Sequence, residues 1–191
     1  MAADVIDSLA GIAAGSHLDS IRRTRRPTAR EHAQKSYDSL FAPADFGGFS
    51  AAERHAVAVF IAGLHGEDAI NGFYAGKAGN TAAIDAEIAA AKTKGPYGAF
   101  PKGPLSAEDA AGPLYRVADK NRAALGARLA AAFEHVHMLV FHPRDADARA
   151  LQSLLDADWT TTEVVTLSQL VAFLSFQIRV VAGLRVLAAK S

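Results

Sequence analysis

Apolar side chains return every three or four residues along most of this chain, the spacing that lines one face of an α-helix. Residues 4–14 carry Val5, Ile6, Leu9 and Ile12 in that register, and Gly15-Ser16 closes the segment. Pro27 predicts a fresh helix from about Thr28 to Phe41, and Pro43 to Gly48 a turn. The chain is organised around the stretch from Phe49 to Lys77, read as one core helix. It opens on Ser50-Ala51-Ala52-Glu53, a capping box in which hydroxyl and carboxylate satisfy each other's orphan backbone donors. Val57, Phe60, Ile61 and Leu64 follow as its apolar face. Residues 81–92 predict an alanine-rich helix, whereas Lys94 to Leu105 holds three prolines and three glycines and predicts an irregular loop. Ser106-Ala107-Glu108-Asp109 reads as the start of a long helix running to about Phe141, where Pro143 stops it. A short helix from Asp145 to Ala157 leads through Asp158-Trp159 into the last helix, Thr160 to Lys190.

That last helix mirrors the organising one. Thr160-Thr161-Thr162-Glu163 repeats the capping box, and a shift of 110 residues lays Ser50 on Thr160, Glu53 on Glu163, Ala62 on Ala172 and Leu64 on Leu174. Phe49 falls on Trp159, Phe60 and Ile61 on Leu170 and Val171, and Glu67 on Gln177. A shared cap followed by apolar positions in phase points to an internal helix repeat. The expected fold class is all-α, a helical bundle with two pseudo-repeated helical halves.

Composition narrows the chemistry. The 191 residues suit one domain able to bury a sizeable core, and abundant alanine favours close-packed helices. Twenty basic and twenty acidic side chains leave a formal charge of zero, which removes the electrostatic case for nucleic acid or an anionic membrane surface. With no cysteine, thiol catalysis, disulfides and cysteine-ligated metal sites are excluded. Asp4 and Asp7 stand where a signal peptide would be basic, and no run of eighteen uninterrupted apolar residues occurs, so the expected location is cytoplasmic, with no membrane partner.

The polar residues of the organising stretch are the candidate chemistry. His55, His65, Glu67, Asp68, Asn71 and Tyr74 gather there, and Glu67, Asn71 and Tyr74, four and three residues apart, lie on one helical face. Elsewhere, the run Arg22-Arg23-Thr24-Arg25-Arg26 reads either as an anion or partner contact or as a solvated arm balanced by acids. Tyr97 and Phe100 make the proline-rich loop either a lid or clasp or a segment pegged to its own domain. His135 and His137 point to nearly opposite faces of a helix, so with His142 they read as capping or core histidines in preference to a metal site. Arg179, inside an apolar helix, calls for a carboxylate partner or a subunit interface.

The segments SAAERHAVAVFIAGLHGEDAINGFYAGKA and DADWTTTEVVTLSQLVAFLSFQIRVVAGL resemble the carboxymuconolactone decarboxylase/AhpD-like (alkylhydroperoxidase-like) family. The second is similar to its closing segment: a short helix, a turn, and a long helix ending in a Phe-x-x-Arg pattern. The resemblance covers residues 49–78 and roughly 135–187 of a single domain, leaving the N-terminal extension 1–48 and the loop 94–105 unexplained. It implies an AhpD-like bundle assembled as a homo-oligomer (dimer, trimer or hexamer). The family's redox Cys-x-x-Cys pair falls on Glu67 and Ile70, its relay glutamate on His55 and its histidine on Tyr74. All four differ, so thiol-based peroxidase chemistry is not open to this chain.

What occupies those positions is a different set. His55, Glu67 and Tyr74 are the candidate catalytic residues, an acid–base pair and a hydrogen-bond donor to an enolate or carbonyl oxygen, with His65 and Asn71 as candidate ligand contacts. Such a site would act on or bind a small carbonyl or lactone-type molecule, with no cofactor and no metal. The alternative is a non-catalytic oligomeric scaffold or accessory subunit that keeps the fold for its assembly surface.

Overall fold

The computed structural model describes residues 4–189; Lys190, the expected end of the last helix, lies outside them. The fold is all-α. Its helices are α1 (Val5–Ala10), α2 (His17–Arg25), α3 (Pro27–Phe41), α4 (Ala51–His65), α5 (Asp68–Ala78), α6 (Ala82–Ala91), α7 (Asp119–Leu125), α8 (Ala127–Phe141), α9 (Ala148–Leu155) and α10 (Thr161–Ala188). Short 3-10 turns occupy Pro104–Glu108 and Pro143–Asp145, and a lone bridge joins Gly98 to Ala110.

Three boundaries differ from the periodicity. The stretch Phe49 to Lys77 is two helices, because Gly66 turns left-handed (φ 72°) and closes α4 with backbone bonds back to Ala62 and Gly63. The chain then doubles back, and Asn71 donates to the Val59 carbonyl at 2.9 Å, so α4 and α5 form a helical hairpin. The helix expected from Ser106 begins only at Asp119 and is broken again at Gly126 (φ 81°), the intervening residues 109–118 being irregular. At the N-terminus, Gly11 (φ 70°) ends α1 well before Gly15, and the basic run lies in and just beyond α2.

Buried Val57, Phe60 and Ile61 of α4, Phe133 and Val136 of α8, and Leu167, Leu170 and Leu174 of α10 form the centre of one core. Phe60 stacks on Phe133 with centroids 4.2 Å apart. Residues 4–41 belong to this core through Val5, Ile6, Ala33, Leu40 and Phe41. Among the described residues α10 is long and apolar enough to cross a membrane by length and composition, yet one of its faces packs on α1, α3, α4, α8 and α9.

Both capping boxes form, and both lead to one guanidinium. Glu53 uses Oε2 to accept from the Ser50 backbone (2.9 Å), and Glu163 uses Oε2 to accept from the Thr160 backbone (2.7 Å). Each spare Oε1 faces Arg128 of α8, at 2.9 Å from Nε for Glu53 and 3.3 Å from Nη2 for Glu163. Arg128 also donates to the Gly48 carbonyl (3.1 Å) and to the Asp158 carbonyl, while its guanidinium lies 4.1 Å from the Trp159 ring centre. Trp159 in turn meets Phe49 edge-on at 4.9 Å and gives its indole N–H to the Arg128 carbonyl. Farther along, His65 bonds Ser175 at 3.3 Å. Gly48 and Asp158, Phe49 and Trp159, Glu53 and Glu163, and His65 and Ser175 are each separated by the same 110 residues, so α4 and α10 lie side by side with their N-termini at one end. The approach is close at Gly48: a Cβ there would come within 1.9 Å of Glu163 Oε1, and the carboxylate would have to move away.

Replacing Arg128 by Met keeps much of its apolar stem but leaves two part-buried carboxylates and two carbonyls without their shared donor. Urea unfolding should show a loss of about 2–4 kcal/mol; a loss below about 1 kcal/mol would mean that the carboxylates are held by their caps alone.

Candidate functional site

The structure separates the residues that sequence reasoning grouped. His55 sits in the second turn of α4 and Glu67 just past its end, roughly 18 Å apart at the α-helical rise. His55 Nδ1 donates to the Ala51 carbonyl of its own helix (2.7 Å), and its ring lies 5.2 Å from that of Phe41. Burial lowers its pKa, favouring the neutral ring. Glu67 faces Arg185 of α10 at 3.5 Å, and Arg185 also donates to the Leu9 carbonyl. The hairpin returns Tyr74 to the level of His55, and the two rings flank Phe41, with Tyr74 at 5.1 Å. Tyr74 is fully buried and donates to Gln177 Oε1 at 2.7 Å; burial raises its phenol pKa far above the ordinary value. Asn71 is committed to the Val59 carbonyl and His65 to Ser175. Burial, aided by nearby Arg179, lowers the His65 pKa to about 4. Arg179 itself lies on the exposed face of α10 and donates to the Ser175 carbonyl at 2.7 Å. These side chains therefore form a seam between α4, α5 and α10 in which each is bonded within the fold.

A cavity of about 560 Å³ opens elsewhere, between α8, α9 and the segment 112–116. Its size is that of a small-molecule site. His135, His137, Met138 and Glu134 reach it from α8, Tyr115 and Arg116 from the irregular segment, and His142, Asp145, Asp147 and Arg149 from the turn into α9. The three histidines are buried, at 6%, 1% and 8% exposure. His137 bonds the Ala91 carbonyl through Nε2 (3.1 Å) and stacks on Tyr115 at 4.8 Å. His142 Nδ1 lies 3.2 Å from Asp145. Yet His135 Nδ1, His137 Nδ1 and His142 Nε2 have no hydrogen-bond partner. A buried polar atom left unpaired costs about 1–3 kcal/mol, so three of them on residues lining one cavity make it the candidate site. Burial keeps His135 and His137 neutral by lowering both pKa values, against the opposing pull of their backbone bonds to Ala150 and Ala91. No group of three His, Asp or Glu among the described residues is arranged to hold a metal ion.

The walls of the cavity are anchored by groups already paired. Tyr115 gives its hydroxyl to buried Glu87, which also accepts from Ala118 N–H and Asn121. Burial first, and then this carboxylate, raises the Tyr115 phenol pKa. Glu134 accepts from Arg116, Arg122 and the Val117 N–H. The proline-rich loop is pegged to its own domain: Tyr97 N–H bonds the Phe141 carbonyl at 2.7 Å, and Arg144 lies 3.8 Å from the Phe100 ring centre. A Cβ on Gly112 would press on Tyr97 and His142, so this glycine lets the loop close over the histidines.

A second cavity, of about 700 Å³, lies among α1, α2 and α3. Its charges satisfy one another: Arg22 and Arg30 pair with Asp4 and Asp7, and Arg23 with Asp19. This part of the basic run is thus an internal ionic clasp for the N-terminal helices.

Comparison with known protein families, with curated proteins and with solved structures finds no match in any of the three. The seam's residues were found through the family-like pattern, while the cavity was missed. Its only local signal was three histidines within eight residues of chain, and the opposing wall comes from residues 112–116.

The lowered His65 pKa sets a pH dependence. The unfolded chain takes up a proton near pH 6.5 that the folded chain refuses until about 4, so stability is intact above 6.5 and declines as pH falls between those values. His55, His135 and His137 shift in the same direction. Thermal unfolding should show His65→Gln losing less stability than the parent between about pH 7 and about pH 5, by about 1–2 kcal/mol after allowance for the ring's partial exposure. Equal losses would place the pH dependence elsewhere.

Proposed function

We propose that this chain is a cysteine-free, AhpD-like protein of two related helical halves that binds a small molecule in the histidine-lined cavity behind α8. The observation that carries this reading is the set of three buried imidazoles, each with an unpartnered ring nitrogen, around a cavity of ligand size. The family resemblance of residues 49–78 and 135–187, with equivalent positions meeting around Arg128, supports the two-halves reading. On this view the polar seam of His55, His65, Glu67, Asn71 and Tyr74 serves the frame, since every member has a partner inside it. The chain works as a homo-oligomer: α10 leaves Val165, Phe176 and Val186 about half exposed along one stripe, more apolar helix surface than a lone domain usually shows.

The rival reading is a scaffold with no ligand, favoured by the sealing of the seam. A thermal-shift screen of a small-molecule library on the parent, on His137→Gln and on Glu67→Gln separates the two. The cavity reading expects stabilising compounds whose effect is lost in His137→Gln and kept in Glu67→Gln. Compounds lost only in Glu67→Gln would return the site to the seam, and the absence of any compound sensitive to either change would favour the scaffold.

A further inference from the structure

The cavity's charged groups are already paired with one another. Glu134 holds Arg116 and Arg122, Asp147 caps α9 and pairs with Arg149, and Asp145 faces His142 and accepts the Ala99 N–H. The atoms left over are the three imidazole nitrogens, and their chemistry is set by what the opposite nitrogen does. A carbonyl can only accept, so Ala91 fixes the proton of His137 on Nε2 and leaves a lone pair on Nδ1 of the neutral ring. His135 Nδ1 is likewise buried without a partner. At His142 the Asp145 carboxylate accepts from Nδ1, so in the neutral ring Nε2 carries the lone pair. His137 Nδ1 is thus an acceptor, as is His142 Nε2 in the neutral ring, and an occupant that touches them has to donate.

We infer that the cavity selects a small molecule bearing hydrogen-bond donors, hydroxyl or ammonium groups, and disfavours the acceptor-only carbonyl or lactone that the family-like positions suggested. The inference rests on the cavity being the binding site. The lining fits such a ligand in two further ways. The Tyr115–His137 stack and Met138 offer an apolar wall for its carbon frame. No arginine there is without a carboxylate, so a bound anion would have to compete for Arg116 or Arg149.

The test follows the nitrogen-15 signals of the histidine rings in the intact protein during titration with five probes. Putrescine supplies ammonium donors, myo-inositol and catechol supply hydroxyls, and γ-butyrolactone and cyclopentanone offer acceptors only. The expected result is that the free protein carries the His137 proton on Nε2, and that a donor probe shifts the His137 Nδ1 signal toward a hydrogen-bonded acceptor. Its affinity should fall about tenfold in His137→Phe, the worth of roughly one hydrogen bond. Putrescine against the two hydroxyl probes tells which donor is preferred. Tighter binding of the lactone or ketone, with the same rings perturbed, would overturn the inference while keeping the cavity as the site. A His137 proton found on Nδ1 would overturn it whatever binds, and that readout does not depend on a variant folding. Donor probes that leave all three rings unperturbed would also overturn it.

Discussion

The Arg128 guanidinium joins the starts of two helices far apart in sequence, α4 and α10, and much of the architecture depends on that junction. Each helix begins with a capping box whose glutamate spends one oxygen on its own helix and turns the other toward Arg128. A cap by itself is a local device that tells the chain where a helix starts but not where it goes. With one cation shared between them, the two caps also fix the relative placement of their helices, and α8 is held against both. Burial acts to raise the Glu163 pKa, but its hydrogen bonds to Thr160 and the proximity of Arg128 outweigh this and lower it, keeping the carboxylate charged. The aromatic pair Phe49 and Trp159 closes the same corner, leaving the guanidinium with a flat face to lie on.

A frame tied at one end leaves a seam farther along, and the seam's polar residues are consistent with filling it. Tyr74 and Gln177 meet deep in the core, His65 meets Ser175, and Asn71 closes the hairpin on Val59. The opposite side of α8 is different in kind. There the wall is an irregular segment held by Tyr115, Val117 and Ala118 through two carboxylates, Glu87 and Glu134, and the histidines behind it keep ring nitrogens without partners. Satisfied polar groups rigidify, whereas unsatisfied ones at a cavity are available to a ligand. Gln177 Nε2 in the seam is also buried without a partner, so what separates the candidate site from the frame is the cavity beside the histidines.

Much of the helical order was legible in the chain because it is local. The two capping boxes stand in the sequence, and of the positions it sets 110 residues apart Phe49 meets Trp159 while Glu53 and Glu163 share Arg128. The break at Gly66 was hidden because apolar and polar positions stay in helical phase across it; only the left-handed glycine and the return packing of α5 reveal the hairpin. For the same reason His55 and Glu67 looked like neighbours in a shared motif although a whole helix separates them. Ser106 looked like a cap, but Pro104 and Pro113 leave too few helical residues around it, and the segment stays irregular until Asp119. The histidine cavity was illegible from spacing, since His135 and His137 diverge on a lone helix. Both rings are reached because α8 is covered from several sides by segments distant in sequence.

The claim that one cation couples the two capped helices is tested most directly by a double-mutant cycle on its carboxylates. Glu53→Gln and Glu163→Gln each preserve the shape of the side chain and a capping oxygen while removing the charge that faces Arg128. Unfolding free energies of the two single variants and the double variant give the coupling between sites that have no direct bond to each other. A shared guanidinium predicts non-additivity of about 1–2 kcal/mol, whereas effects that add to within about 0.5 kcal/mol would show two independent caps and contradict the account.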